Sequence, residues 1–509
     1  MYNIESIACG AGTCGISAGV YQLRQIIENF IKENKLSCRI YDTGCSGTCF
    51  EEPVFFLNTA DGQTLTFISC TPKKIENICR KYLLGENIKI DPEYTDYFCA
   101  SPFLSRQKRV VLAGCGILNP ESLDDYRQKG GFSAFFKALE QEPAQIIEQI
   151  KKSGLRGRGG AGFPTGIKWE LAARSSGSKK YLVCNADEGD PGAFMDRSVL
   201  EGDPFLLIEG MLIASYAIGA DEGYIYCRAE YPLALKRINK AIMQLEKQSL
   251  LGKNICGKKH SFFLHVKEGA GAFVCGEETA LMHSIEGKRG MPRLRPPFPA
   301  ESGIFGCPTN INNVETLASV PYIITNGAEA YSSIGTEKSK GTKVFALAGK
   351  VKNTGLVEVP MGVTLRSIIF EIGGGIAKNR NFKAVQMGGP SGGCLPECLL
   401  DTPVDYEKIM ETGAIVGSGG MIVLDDRTCM VDVAKYFLTF TQNESCGKCT
   451  YCRLGTRRMK EILEKISEGR ALIGDLSLLE DLAVNIKTSS LCALGQSAPN
   501  PVLTTLRYF

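Results

Sequence analysis

Three cysteines lie within seven positions near the end of the chain, in the stretch ESCGKCTYCRLGT. Cys446, Cys449 and Cys452 form a C-x2-C-x2-C pattern, so one loop can supply three thiolates to a single cluster. Cys492, in SLCALG just after the last helical pattern, is the expected fourth ligand. This compact spacing favours a [4Fe–4S] cluster over zinc, because structural zinc sites more often use two separate C-x2-C pairs.

A second set of cysteines lies at the start of the chain. Cys9 and Cys14 form a C-x4-C pair, and Cys45 and Cys49 form a C-x3-C pair, with one predicted helix and one predicted strand between the pairs. Two pairs suit a [2Fe–2S] cluster, in which each iron takes two thiolates. A zinc site and a metal-free remnant are the alternatives at this position.

A glycine-rich stretch, GLRGRGGAGFPTGIKWE, contains a literal match to the G-x-G-x-x-G dinucleotide fingerprint at residues 157–162. The fingerprint requires a strand before the glycines, whereas residues 142–156 have a helical pattern. The run of glycines still lets backbone N–H groups approach an anion or a flat ring, and Arg156, Arg158 and Lys168 add positive charge. The pattern therefore favours a phosphorylated cofactor, with a glycine turn that binds nothing as the alternative.

Two acidic loops accompany the glycines: NADEGDPGAF at residues 185–194 and CGEETAL at residues 275–281. Such carboxylates bind a divalent metal, act as general bases, or accept hydrogen bonds from ribityl and ribose hydroxyls, and the pattern does not choose among these roles. The chain has three histidines, none of them plausible for a hydrolytic triad: His260, His265 and His283.

The elements that position these motifs predict a multidomain α/β protein, because 509 residues exceed the length of one domain. Alternating strand and helix patterns predict an α/β domain over residues 111–330. Five segments are expected in all: a thioredoxin-like [2Fe–2S] domain at 1–90, a linker at 91–110, an FMN- and NAD(H)-binding α/β domain at 111–330, a small β-grasp-like domain at 331–424, and a helical [4Fe–4S] domain at 425–509.

Composition excludes several classes of function. A net charge of +3 without a basic block gives no footprint for nucleic acid. The longest apolar run, residues 206–220, is interrupted by Glu209 and is too short to span a bilayer, so no membrane insertion is expected. The first residues do not resemble a signal peptide, which predicts a cytoplasmic protein. In a reducing compartment, the clustered members of the 21 cysteines favour metal ligation over disulfides.

These motifs carry a family resemblance. The glycine stretch, NADEGDPGAF, GAGAFVCGEETALMHSIEGKRGMPRLRPPFPAESGIFGCPTNINNVET and the carboxyl-terminal cysteine motif are similar to the NADH-binding flavoprotein subunit of respiratory complex I. They also resemble its relatives in soluble NAD-dependent iron hydrogenases, as the beta subunit, and in formate dehydrogenases. The resemblance covers about residues 110–509, and the amino-terminal GCSGTCFEEPV is more similar to the hydrogenase relatives.

The resemblance implies an FMN site. The residues that it assigns to wrapping the flavin are Gly157, Arg158, Gly159, Gly160 and Lys168. Those that it assigns to lining the flavin are Asn185, Asp187, Glu188, Gly276, Glu277, Glu278, Asn312, Asn313 and Thr316. Those that it assigns to NAD(H) are Phe163, Asp190, Arg295 and Phe298, and many relatives have a glutamate where this chain has Asp190. Hydride transfer between nicotinamide and flavin then requires no catalytic acid or base from the protein.

The function implied is that of an oxidoreductase subunit that passes electrons between NAD(H), FMN and the [4Fe–4S] and [2Fe–2S] clusters. Because the chain has no recognisable terminal catalytic site, it requires partners: a small thioredoxin-like [2Fe–2S] subunit and a catalytic iron–sulfur subunit of a hydrogenase or formate dehydrogenase.

Three alternatives remain open. The chain could be a stand-alone NADH:acceptor diaphorase or an electron-bifurcating flavoprotein. From a different class, it could be a zinc-stabilised binding scaffold.

Overall fold

The computed structural model describes residues 3–509 of the chain. Its amino-terminal unit is a five-stranded sheet with the strand order β2-β1-β3-β4-β5, in which only β1 and β2 run parallel. The strands are β1 (Ile4–Gly10), β2 (Arg39–Thr43), β3 (Phe55–Thr59), β4 (Thr64–Phe67) and β5 (Tyr94–Thr95). The helices are α1 (Thr13–Ser17), α2 (Val20–Glu33), α3 (Pro72–Leu84) and α4 (Tyr97–Ala100). Strand β5 and helix α4 lie within the segment 91–110 that we expected to be a linker.

The largest unit is an α/β layer around a parallel sheet with the order β8-β7-β6-β9. Its strands are β6 (Tyr181–Ala186), β7 (Glu222–Arg228), β8 (Phe263–Gly269) and β9 (Thr309–Asn313). The helices before β7 are α5 (Leu123–Gln128), α6 (Ser133–Leu139), α7 (Pro143–Ser153), α8 (Thr165–Arg174), α9 (Met195–Gly202) and α10 (Pro204–Ile218). Those after β7 are α11 (Pro232–Lys247), α12 (Glu278–Ile285), α13 (Val314–Ala318), α14 (Val320–Asn326) and α15 (Ala328–Ser332).

Helix α10 accounts for the long apolar run. It is buried on nearly every side, and Asp203 accepts a hydrogen bond from the Leu206 N–H at 3.1 Å as its N-terminal cap. Its one acid, Glu209, accepts from the N–H groups of Phe132 at 2.9 Å and Phe135 at 3.0 Å. The buried carboxylate is therefore satisfied by backbone donors. Within residues 3–509, we find no helix with the length and apolar character that a membrane crossing requires.

The third unit is a mixed sheet with the order β11-β10-β14-β12-β13, in which β10 and β14 run parallel. Its elements are β10 (Thr342–Gly349), β11 (Gly355–Pro360), a π-helical segment (Ser367–Ile372), β12 (Phe382–Met387), β13 (Gly393–Pro396), α16 (Tyr406–Glu411) and β14 (Gly420–Asp425).

The last unit is helical: α17 (Met430–Asn443), α18 (Thr456–Ser467), α19 (Ile473–Ser489), α20 (Ala493–Ser497) and α21 (Asn500–Tyr508). The helices share a buried apolar core that includes Leu438, Met459, Ile462, Leu479 and Ile486. The C-x2-C-x2-C motif begins in the connection between α17 and α18, and Cys492 is the N-terminal cap residue of α20.

Candidate functional site

The four carboxyl-terminal cysteines lie in one apolar cluster, as their spacing predicts. Cys452 and Cys492 are buried, and Cys446 and Cys449 are partly buried against the same cluster. Burial raises the pKa of the Cys452 thiol to about 11. A Cβ at Gly495 would lie 3.1 Å from the Cys452 Cβ, so the helix that follows Cys492 approaches the motif closely. This grouping of four sulfurs fits a [4Fe–4S] cluster.

The cysteine motif is bound to the second acidic loop. The same apolar cluster contains Val274 and Cys275, which directly precede Gly276. Next to the motif, Glu444 accepts a hydrogen bond from the Phe273 N–H at 2.9 Å. The Lys448 ammonium donates to the Pro292 carbonyl at 2.7 Å. The loop expected to line the flavin and the loop expected to bind the cluster are therefore packed against each other.

In the glycine loop, Arg158 differs in role from what its charge suggested. Its guanidinium is fully buried and donates to the Thr342 carbonyl at 3.0 Å and the Tyr331 hydroxyl at 3.1 Å. Its backbone N–H donates to the Thr316 hydroxyl at 2.8 Å. The side chain thus anchors the loop to the rest of the fold and is not free to contact a ligand.

The other loop residues remain open to solvent. Gly159 is exposed, and a Cβ there would lie 3.0 Å from the Asn313 Cβ. Gly160 has φ +123°, a backbone conformation that L side chains rarely adopt, and Gly157 lies beside it. The loop therefore presents bare backbone next to the carboxyl end of β9.

Asp187 is the least satisfied acid of the site. Its side chain is 1% exposed, neither oxygen has a hydrogen-bond partner, and the nearest cation is Arg228 at 3.9 Å. Burial raises the Asp187 pKa to about 7 despite that arginine. A Cβ at Gly276 would lie 3.9 Å from Asp187 Oδ2, so there is no side chain between them. Unpaired buried acceptors facing a bare glycine fit a ligand rich in hydroxyl groups, such as FMN.

Asn185 fixes this cradle. Its amide donates to the Gly276 carbonyl at 2.9 Å, and its side-chain oxygen accepts from the Asp187 N–H at 3.1 Å. Because β6 ends at Ala186, both contacts form at the carboxyl edge of the parallel sheet, where open α/β folds bind ligands.

The next two acids have protein partners. Glu188 accepts from the N–H groups of Asp196 and Arg197, both at 3.1 Å, and so stabilises the start of α9. Asp190, expected at NAD(H), accepts a hydrogen bond from the Ser418 hydroxyl. Burial raises the Asp190 pKa to about 6. The structure thus places Asp190 at the contact with the third unit.

Opposite charges surround the second acidic loop. Glu278 lies 2.9 Å from the Lys168 ammonium and 2.8 Å from the Arg295 guanidinium. Burial alone would raise the Glu278 pKa, but the two cations together hold it below its usual value. Glu277 caps α12 by accepting from the Thr279 N–H at 2.9 Å.

The asparagines of β9 support the site from below. Asn312 accepts from the Trp169 indole N–H at 2.8 Å. Asn313 accepts from the Glu315 N–H at 2.9 Å and donates to Asp196 at 2.5 Å. Sequence reasoning missed Trp169 and Asp196, because neither belongs to a charged or glycine-rich cluster that would have singled it out.

The two aromatic residues assigned to NAD(H) are open to solvent. Phe163 is 49% exposed and Phe298 is 53% exposed, although both are large apolar side chains. Exposed rings of this kind are available for stacking on a planar ligand.

At the amino-terminal site the structure brings three of the four expected cysteines together. Within residues 3–509, the ligand atoms of Cys14, Cys45 and Cys49 form a group in which all lie within 4.8 Å of one another, and Cys9 is not part of it. Cys9 is fully buried in the apolar core between β1 and α2, where burial raises its thiol pKa. The expected four-thiolate set is therefore not assembled.

Two family models match the chain. The Nuo51 FMN-binding domain matches residues 150–322, and the NADH-ubiquinone oxidoreductase-F iron–sulfur binding region matches residues 432–509. An F-type component of NADH-quinone oxidoreductase from Rhizobium meliloti (strain 1021), designated F 2, is 45% identical over 401 residues, which are 79% of this chain and 95% of the relative. The chain belongs to the NADH-quinone oxidoreductase-F family. It carries the FMN-binding and 4Fe–4S regions of that family.

Hydrogenase components are also among the relatives of this NADH-quinone oxidoreductase-F family member. The NADP-reducing hydrogenase subunit HndC of Solidesulfovibrio fructosivorans is 56% identical over 404 residues, covering 79% of this chain and 82% of the relative. The crystal structure of an NAD+-reducing [NiFe]-hydrogenase in the H2-reduced state matches with a TM-score of 0.71 and 32% identity. That match covers 99% of this chain and 82% of the hydrogenase chain, so it includes the amino-terminal unit.

Proposed function

We propose that this chain is the oxidoreductase subunit of a hydrogenase complex that exchanges electrons between NAD(H), FMN and iron–sulfur clusters. One observation carries the proposal: the four carboxyl-terminal cysteines share an apolar cluster with the loop that ends at Gly276, opposite the unpaired Asp187. FMN, when bound, exchanges a hydride with the nicotinamide and single electrons with a cluster. A flavin cradle adjoining a cluster site suits that exchange.

The protein itself binds and orients. Asp187 would accept hydrogen bonds from FMN hydroxyls, and the bare backbone of Gly159, Gly160 and Gly276 would admit the flavin. Lys168 and Arg295 supply positive charge, although Glu278 shares both of them. The exposed rings of Phe163 and Phe298 would stack on NAD(H). Precise placement of the two reactants lowers the barrier without a catalytic acid or base.

Several finer features belong to the same proposal. The parallel β1–β2 pair next to the antiparallel β3–β4 pair, with helices packed on the sheet, supports a thioredoxin-like amino-terminal domain. The mixed sheet of the third unit supports a β-grasp-like domain. The partners would be a small thioredoxin-like [2Fe–2S] subunit and a catalytic iron–sulfur subunit of a hydrogenase or formate dehydrogenase. The 21 cysteines, all of them free, fit a cytoplasmic location.

The test is anaerobic titration of the purified full chain with NADH. We expect bound FMN to lose its visible absorbance. Replacing Phe163 by alanine should raise KM for NADH about fivefold, the equivalent of about 1 kcal/mol of lost stacking, with unchanged FMN content. Phe305→Ala is the matched control, because Phe305 is also exposed but contacts Tyr181 at a ring distance of 6.1 Å. A colourless chain that contains zinc alone would refute the proposal.

NADP(H) is a second candidate for the nucleotide, since the 56% identical relative is named as NADP-reducing. The two nucleotides differ by one phosphate, which adds negative charge near the ribose. A comparison of kcat/KM for NADH and NADPH decides between them. A preference for NADPH would keep the electron route and change only the donor.

A further inference from the structure

Glu52 lies beside the three clustered cysteines of the amino-terminal unit. The Cys14 thiol is 3.5 Å from Glu52 Oε1 and is placed to donate to it. The other carboxylate oxygen, Oε2, accepts a hydrogen bond from the Val54 N–H at 3.0 Å. One oxygen is therefore held by the backbone while the other faces sulfur.

Two glycines leave room for this carboxylate. A Cβ at Gly10 would lie 3.1 Å from Glu52 Oε2, and a Cβ at Gly15 would lie 3.0 Å from the same atom. Side chains at these positions would press on the carboxylate. The pocket is thus shaped around the Glu52 head group.

Within the part of the chain that the structure describes, no lysine, arginine or histidine lies within 4.0 Å of the Glu52 carboxylate. Its neighbour Glu51 is different, because it accepts hydrogen bonds from the hydroxyls of Tyr94 and Tyr97. A carboxylate that is partly buried among thiols without a cation favours a bound metal, which would supply the missing positive charge.

Cys9 is on the other side of its strand. Successive side chains of a strand point to opposite faces. Gly10 is next to Glu52, whereas Cys9, one residue earlier, packs with Val20, Leu23 and Ile27 in the core under α2. Moving its sulfur to the other three would require β1 to shift its register between β2 and β3.

We propose that Glu52 is the fourth ligand of a [2Fe–2S] centre whose other ligands are Cys14, Cys45 and Cys49. The Sγ atoms of Cys45 and Cys49 are 3.8 Å apart, which suits two thiolates on one iron. Cys14 and Glu52, in contact through sulfur and Oε1, then supply the second iron. Two irons thus receive the four protein donors that such a cluster requires.

The position of the site favours iron–sulfur over zinc, and this part of the argument rests on the proposed function. Helix α9 begins at the N–H groups that bind Glu188 and ends at Glu201 and Gly202, where the cysteine loops dock. Its eight residues span about 12 Å. A redox centre at its far end lies close to the flavin cradle, which has no use for a structural zinc.

The experiment measures iron and acid-labile sulfide per chain, together with the electron paramagnetic resonance signal of the reduced [2Fe–2S] centre, in the anaerobic full chain. Cys9→Ala should keep the signal. Cys49→Ser and Glu52→Ala should each lose about two irons and two sulfides per chain. Glu52→Cys should retain the cluster with shifted g-values. Glu51→Gln is the matched control and should leave the signal unchanged.

Two readouts show that each variant is folded: the FMN content and the separate signal of the carboxyl-terminal cluster. With those intact, loss of the signal in Cys9→Ala would overturn the proposal, as would an unchanged signal in Glu52→Ala. One zinc per chain at this site without sulfide would also overturn it. These outcomes are independent of NADH oxidation, so failure of the proposed function would be seen separately, as a flavin that NADH does not bleach.

Discussion

The backbone N–H of Thr13 donates to the Glu201 carboxylate at 2.8 Å, and the Thr13 hydroxyl donates to the same carboxylate at 2.5 Å. This contact joins the loop before Cys14 to the end of α9. Arg237 reinforces it by donating to the carbonyls of Glu201 at 2.6 Å and Ala11 at 3.0 Å. The amino-terminal cysteine site is therefore held against the helix that starts at the flavin cradle.

Replacing Glu201 by alanine should loosen this joint. The loss of two hydrogen bonds at a side chain that is 3% exposed should cost about 1–3 kcal/mol, because the Thr13 donors are left without an acceptor. Urea unfolding should then show an earlier transition for the amino-terminal unit. The control is Glu121→Ala, which breaks a surface ion pair with Lys240 worth less than about 1 kcal/mol. Equal unfolding curves for the two variants would contradict the assigned joint.

Cys449→Ala should separate the flavin reaction from onward electron transfer. Without one of the four thiolates, the chain should lose about four irons while keeping FMN. NADH should still bleach the flavin, but reduction of a copurified partner subunit should fall to the background rate. Cys429→Ala, at an exposed cysteine outside the cluster, is the control. Normal partner reduction by Cys449→Ala would refute this route.

Asp187→Asn should weaken FMN binding about tenfold, since one charged acceptor is replaced by an amide at a loss of about 1.5 kcal/mol. Fluorescence of released FMN measures the dissociation constant. Glu230→Gln provides the comparison, because Glu230 pairs with the same Arg228 at 2.7 Å but is 57% exposed. FMN affinity that falls equally in both variants would indicate that Arg228, rather than Asp187, is the group that matters.

Asp203 should make stability depend on pH. Burial raises its pKa from 3.8 to about 7, partly offset by the Leu206 N–H and reinforced by the nearby Glu209. Between about pH 4 and pH 7 the folded protein holds a proton that the unfolded chain has lost, so stability falls as pH rises through this window. The loss is complete above the folded pKa.

Asp203→Asn keeps an N-terminal cap for α10 but cannot ionise. Relative to the wild type it should gain up to about 4 kcal/mol on going from pH 5 to pH 8. Urea unfolding at both pH values measures the difference, with the exposed Asp124→Asn as control. A wild-type minus variant difference that does not change with pH would show that Asp203 does not titrate in this range.

Local patterns predicted the sites that one segment builds by itself. The C-x2-C-x2-C spacing brings three sulfurs together because a single loop can turn around one centre, and Cys492 joins them. The bare backbone of the glycine loop likewise follows from its composition, because no side chain can fill that space. The large α/β domain was predictable from alternating strand and helix patterns.

Other features depended on contacts between distant residues. The charge of Arg158 suggested a ligand contact, but its guanidinium is buried against Tyr331 and the carbonyl of Thr342. Asp190 lies against Ser418, more than two hundred residues away in the chain. No local pattern reports such pairings, because they arise only when separate units pack together.

The sequence by itself determined that this chain has two groups of thiolates and a glycine-rich cradle, and its motifs determined the family. Only the tertiary structure decided that Cys9 is in the core and Glu52 is beside the sulfurs. The physical reason is that strand alternation and sheet register choose the face on which each side chain lies, and burial of the apolar face under α2 selects that register. Spacing along the chain counts residues but does not choose between the two faces.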